Sequence, residues 1–231
     1  MKKIIPFLFT LILFSCSDKK ESIPVAEPVP KFDTLVVGKQ TYFMQNLSDT
    51  NYIFPPVIMR LDSDFTQIAG YSNLAQRTGD SLFLKCDNGK TVQLINNLSQ
   101  DDNYIQFCFI ELNKDIEHYL VSCLRVESSN YILVNKKNGN RIEAIGPPVT
   151  SPDKNFFVCG HSDLVAQFNL NGIEIYKKNK NSYHLLGVRE LANWGPEQMM
   201  WKNDSSLMIK ANLLKADNTT QENVYKILFI K

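Results

Sequence analysis

A polar turn that feeds an apolar strand recurs along this chain at nearly constant spacing, and that period constrains the fold more than any other feature. Asp49-Thr50-Asn51-Tyr52-Ile53 returns as Asp101-Asp102-Asn103-Tyr104-Ile105 and as Asp153-Lys154-Asn155-Phe156-Phe157, and more weakly as Asp204-Ser205-Ser206-Leu207-Met208. The leading Asp residues stand at 49, 101, 153 and 204, steps of 52, 52 and 51. Asp and Asn tolerate turn dihedrals and hydrogen-bond their own backbone, which accounts for those residue types at that place. Ser48, Ser99 and Ser151 stand just before the first three copies. A second strand–turn unit falls near the middle of each period: Ser81 to Lys90, Asn130 to Gly139, and Gly172 to Asn179. Two of these carry Asn-Gly, the strongest short hairpin signal. Each period therefore holds two hairpins, or about four short strands.

Four strands per 40–50 residues is the pattern of a propeller blade. Ser151-Pro152-Asp153-Lys154-Asn155-Phe156-Phe157 resembles the Ser-Pro-Asp-Gly-Lys turn of WD-type and TolB-type β-propeller repeats. Trp201-Lys202-Asn203-Asp204-Ser205-Ser206-Leu207 resembles the Trp-containing variant of that turn. Lys154 and Ser205 stand where the family has Gly. The resemblance implies an all-β, β-propeller-like domain of four units over 33–231; a β-sandwich or an open sheet stack is the alternative. The family's motifs carry no catalytic residue. The last unit is about half a period long. Its Val224–Ile230 strand predicts a missing partner, supplied by Thr34–Asn46 from the other end of the chain. The stretch from Ile116 to Val126 fits both helical and alternating spacing and is read as strand from its context. Leu164–Phe168 and Val188–Trp194 are ambiguous in the same way.

Charge narrows the function. Lys and Arg number 25 against 24 Asp and Glu, a net charge of +1. A nucleic-acid binder needs a basic face, so that class is excluded. Hydrophobic residues at 44% exclude a disordered chain.

The N-terminus reads as an address. Met1-Lys2-Lys3 precedes an apolar run from Ile4 to Phe14, too short to span a bilayer core, so residues 1–15 read as a signal peptide. Leu13-Phe14-Ser15-Cys16 resembles the lipobox of bacterial lipoproteins, with Phe14 departing from its pattern. The resemblance implies cleavage before Cys16 and a lipid thioether on it, an attachment through more than one acyl chain. Removing Lys2 and Lys3 with the leader takes the net charge to −1. In lipoproteins of this kind an Asp directly after the Cys resembles an inner-membrane retention signal; here Ser17 follows and Asp18 comes one place later, so the resemblance implies the outer membrane, facing either the periplasm or the cell surface. Residues 16–32, with Pro24, Pro28 and Pro30, read as an extended tether.

No catalytic constellation emerges. Gly79-Asp80-Ser81-Leu82 spells the nucleophile block of a family of serine esterases, and Asp115-Ile116-Glu117-His118 supplies its Asp-x-x-His. The His lies 37 residues on, far from the C-terminal place it has in that family, and the Ser is already explained as a repeat turn. His118, His161 and His184 form no metal-ligand pair. Asp62-Ser63-Asp64 and Asp101-Asp102 lack the rest of a calcium loop and read as turn carboxylates. No metal or cofactor is expected. Cys86, Cys108, Cys123 and Cys159 lie in or at the ends of apolar strands, as free core thiols or as one or two disulfides. Trp194 and Trp201 flank Gly195-Pro196-Glu197-Gln198 and form the candidate binding edge, unless Trp201 packs between repeats. The expected function is an outer-membrane-anchored lipoprotein acting as a non-catalytic binding or protein-interaction module, its partner an envelope protein or glycan. The alternative is an envelope hydrolase acting on glycan or ester substrates.

Overall fold

The computed structural model describes residues 33–49, 51–56, 63–214 and 221–230. The signal peptide, Cys16 and the 16–32 tether lie outside the described residues. Four antiparallel sheets account for the fold. Sheet I holds β3 (Ala75–Thr78), β4 (Ser81–Lys85) and β5 (Thr91–Ile95); sheet II holds β6 (Ile105–Asn113), β7 (His118–Arg125), β8 (Ser129–Asn135) and β9 (Arg141–Ala144). Sheet III holds β10 (Val149–Thr150), β11 (Phe156–His161), β12 (Gly172–Asn179) and β13 (Ser182–Glu190). Sheet IV joins the two ends of the chain: β14 (Trp194–Asn203), β15 (Ser206–Leu214) and β16 (Gln221–Phe229) continue into β2 (Gln40–Leu47) and β1 (Asp33–Val37). The protein is all-β apart from one short helix, α1 (Phe65–Gly70), among the described residues.

The expected pairing of the ends is present. β16 pairs with β2 from Tyr225↔Leu47 to Phe229↔Phe43. The N-terminal segment contributes a hairpin, not the single strand expected. Its turn depends on two glycines. Gly38 has φ +60°, and a Cβ there would lie 2.4 Å from the Leu186 carbonyl oxygen; a Cβ on Gly187 would lie 2.3 Å from the Gly38 nitrogen. Only residues without a side chain let this hairpin touch β13 so closely.

Three apolar clusters join successive sheets. Leu82, Leu84 and Leu94 of sheet I meet Phe109, Tyr119 and Val121 of sheet II. Leu120 and Leu133 of sheet II meet Phe157, Cys159 and Tyr176 of sheet III. Val158, Ile173 and Ile175 of sheet III meet Leu207, Ile209 and Leu228 of sheet IV. Successive residues of a strand point to opposite faces, so β7 sends Tyr119, Val121 and Cys123 one way and Leu120 the other. Burial on both faces leaves β7 buried without a break from His118 to Cys123, which is why its sequence showed no clean alternation. Sheet I covers only one face, and its β5 alternates: Val92 and Leu94 are buried while Thr91, Gln93 and Ile95 are exposed.

The Asp turns recur in chemistry but not in place. Asp49, Asp101 and Asp153 each accept a hydrogen bond from the backbone N–H two residues on, at Asn51, Asn103 and Asn155. In the fourth copy Asn203 takes that role toward Ser205. Yet the Asp101 turn leads into the first strand of sheet II, whereas the Asp153 and Asp204 turns lead into the second strands of sheets III and IV. An Asx turn serves any entry into a strand. The mid-period hairpins mark equivalent places instead: 86–90, 136–140 and 180–181 each join the last two strands of their sheet, with Gly89, Gly139 and Lys180 at positive φ.

Candidate functional site

The two ends of the sheets differ in chemistry. At one end short turns interlock through backbone and charge. Asp87 and Asn88 N–H groups donate to the Lys136 and Lys137 carbonyls, and Lys136 N–H donates to Glu117 O. Ion pairs join Lys137 to Glu117 (2.6 Å) and Lys154 to Asp115 (2.8 Å), and Lys136 pairs with Asp87. The other end carries the crossovers between sheets and the long β11–β12 loop, residues 162–171. It displays Leu98, Val126, Val165 and Phe168, all more than half exposed.

The 162–171 loop is built to hold its shape. Asp163 accepts from the backbone N–H groups of Gln167 (2.9 Å) and Asn169 (2.8 Å) and from the Asn169 side chain. Burial raises the Asp163 carboxyl, but those hydrogen bonds and nearby His161 outweigh it, and the group sits below the usual carboxylate range. Gln167 takes φ 56°, a conformation uncommon outside Gly. Buried Asn171 accepts from Asp163 N–H (3.1 Å) and donates to the carbonyls of Leu191 and Trp194, tying the loop to the crossover into sheet IV. Asn169 Oδ1 accepts the Ser129 N–H at 2.7 Å, tying it to the β7–β8 turn of sheet II. The outcome is an ordered loop that turns Val165, Phe168 and Leu170 to solvent.

Between this loop and the β7–β8 turn lies a cleft of about 200 Å³. Arg125, Ser128, Asn130 and Ile145 line it from sheet II, and Phe168 and Leu170 line it from the loop. Among the described residues that line it, Arg125 alone is charged. Its guanidinium donates to Asn130 Oδ1 at 3.0 Å, and Asn130 donates in turn to Glu143 at 3.3 Å.

The residues singled out in the sequence are distributed elsewhere. Trp194 and Trp201 stand at opposite ends of β14, opposite Leu213 and Leu207, and the structure does not bring them together. Both pack against the cluster between sheets III and IV. Trp201 donates its indole N–H to Val149 O at 2.9 Å and lies beside Phe156. Trp194 carries the Lys226 ammonium 5.2 Å over its ring, and Lys226 donates to Asn46 at 2.8 Å. Burial pulls that ammonium down, with Asp33 opposing. Ser81 accepts from the Gln93 amide, while His118 is buried in sheet II with Nδ1 on Ile116 O, so the esterase pair is not assembled. Burial also pushes the His118 imidazole down. Asp101 is held below the usual range by the Ser99 hydroxyl and Asn103 N–H. Among the described residues no three His, Cys, Asp or Glu converge on a metal position. All four described cysteines are buried thiols outside any disulfide.

One constellation was missed in the sequence. Asp64, read there as a turn carboxylate, is buried and receives Arg77 Nε (2.8 Å) and Nη2 (2.6 Å) together with Phe109 N–H (2.9 Å). Arg77 Nη2 also donates to Phe107 O. The node fastens sheet I and the start of α1 to sheet II. Nothing in a 13-residue separation announces it.

No protein-family model matches the chain, and no curated protein matches it. A crystal structure of a protein from Lactobacillus plantarum is similar over 62% of this chain and 50% of that one, at 12% identity and a TM-score of 0.26. The chain thus spans about half of that protein, and at that score the likeness carries no argument about fold or function. Among the described residues no helix is long and apolar enough to cross a membrane.

Proposed function

We propose that the protein is a non-catalytic binding module of the cell envelope. In this reading Cys16 carries the lipid, residues 16–32 form the leash to the outer membrane, and the all-β body presents its loop end to an envelope protein or glycan. The four sheets serve as propeller-like blades, the last completed from both ends of the chain. Support for that arrangement comes from the β16–β2 pairing and the apolar clusters between successive sheets. The observation that carries the binding reading is the 162–171 loop. Its hydrogen bonds fix the backbone that carries Val165, Phe168 and Leu170, all three exposed. Exposed apolar side chains on an ordered loop mark interaction surfaces.

Site-specific photocrosslinking in intact envelopes tests the reading. A photoreactive phenylalanine analogue at Phe168 is expected to form a discrete adduct, and the same group at Asn138, on the turn end, is not. No adduct at Phe168, or equal adducts at both, refutes it. Cys16→Ala is expected to release the chain from the membrane fraction; retention refutes the anchor.

A further inference from the structure

The cleft beside Phe168 has the chemistry to choose its ligand, and this inference rests on the binding reading above. We infer that it takes the C-terminal residue of a peptide: a free carboxylate with an apolar side chain on the same carbon. Among the described residues Arg125 is the only charge lining the cleft of about 200 Å³, and it forms no ion pair there. Its guanidinium fork keeps donors beyond the one used on Asn130, and a carboxylate accepts two at once. Ser128 also lines the cleft, with a hydroxyl as a further donor. Asn130 sits between Arg125 and Glu143, so that carboxylate is held to the amide rather than to the guanidinium.

The apolar part of the lining, Ile145, Phe168 and Leu170, offers a hydrated anion nothing, but it shelters an apolar side chain. The volume lies below the 300–1,000 Å³ of ordinary small-molecule sites, so the cleft takes one end of a chain and not a chain passing through. The position is preorganised: Asn169, between Phe168 and Leu170, holds the Ser129 N–H, so the loop side and the sheet II side of the cleft are fixed to each other before any ligand arrives.

The test is ligand-observed NMR titration of the full chain with N-acetyl-phenylalanine, its carboxamide, and inorganic phosphate. The acid is expected to bind and the carboxamide to bind about tenfold more weakly or worse, the loss of a charge-assisted pair. Arg125→Gln is expected to cost the acid about tenfold and leave the carboxamide unchanged, with Arg125→Lys between. Phe168→Ala, at a position already exposed, is expected to weaken both without touching the fold. Equal binding of acid and carboxamide overturns the inference, as does indifference to Arg125→Gln. Phosphate displacing the acid at equal concentration overturns its apolar half. No binding of the acid at about 20 mM, above the millimolar range of a weak end-group, also overturns it. The photocrosslink at position 168 separates the two readings. An adduct that survives Arg125→Gln keeps the binding surface and removes the carboxylate; no adduct in the parent chain removes the surface itself.

Discussion

Replacing Asp64 by Ala strands a buried cation. Asp64 is 3% exposed and Arg77 11% exposed at their side chains, so neither has water in reserve. The substitution removes two hydrogen bonds from Arg77 and the acceptor of Phe109 N–H, and Arg77 already holds one buried nitrogen, Nη1, without a partner among the described residues. Removing one partner of a buried ion pair costs about 3–5 kcal/mol, since the remaining charge is desolvated and uncompensated. A domain of this size loses about 2–4 °C of Tm per kcal/mol, so Asp64→Ala is expected to lower Tm by about 10 °C. Thermal unfolding followed by circular dichroism at neutral pH reads this directly. Asp64→Asn, which keeps an acceptor for Phe109, is expected to fall between. The double variant Asp64→Leu with Arg77→Met removes both charges and is expected to recover most of the loss. A drop of less than about 2 °C for Asp64→Ala refutes the argument, because a dry, unpaired guanidinium cannot be that cheap.

Further outcomes follow from other buried groups. Burial raises the Glu174 carboxyl above its ordinary 4.5, against Ile145 N–H and the Tyr176 hydroxyl, which lower it. A carboxyl raised in the fold contributes stability that is full below 4.5 and lost as pH rises through its folded value. Glu174→Gln, which keeps the acceptor, is therefore expected to gain Tm over the parent as pH rises from about 4 to 8; a pH-independent difference contradicts this. The four buried thiols, with Cys159 pushed well up by burial, are expected to resist a thiol reagent in the native state and to react fully in denaturant. With Cys16 blocked by lipid the count is four; two or fewer reveals a disulfide, and five an unmodified Cys16. Gly38→Ala meets both a left-handed backbone and the Leu186 carbonyl, and is expected to cost about 3 kcal/mol, whereas Gly70→Ala, with nothing within 4 Å, is expected to be nearly neutral in the same melt.

Legibility followed the range of the physics. Hairpins at Asn88-Gly89 and Asn138-Gly139 were visible because positive φ is a property of one residue. The pairing of Thr34–Asn46 with the last strand was visible because an incomplete unit leaves an unpaired edge. The Asp period was also visible but overread. An Asx turn forms wherever a strand begins, so equal spacing did not mean equal place in a sheet. Burial on both faces blurred the alternation of β7, and one short helix, α1, was not foreseen. The aromatic edge of Trp194 and Trp201 rested on nearness in sequence, which a ten-residue strand undoes by holding them at opposite ends.

The candidate site was the least legible part. Ser129 and Asn169 are 40 residues apart, and Asp64 and Phe109 are 45 apart. Each of those contacts exists because packing brings a loop or helix start of one sheet's connections beside a strand of the next sheet, not because of any local pattern. By itself, then, the sequence determined an all-β chain of hairpins with a strand at each end that needed the other, since turn dihedrals and the two-residue alternation of strands are written residue by residue. Only the tertiary structure decided which carboxylate meets which guanidinium, which apolar residues stay outside, and where Arg125 faces a cleft. Those outcomes depend on the stacking of whole sheets, which no single segment encodes.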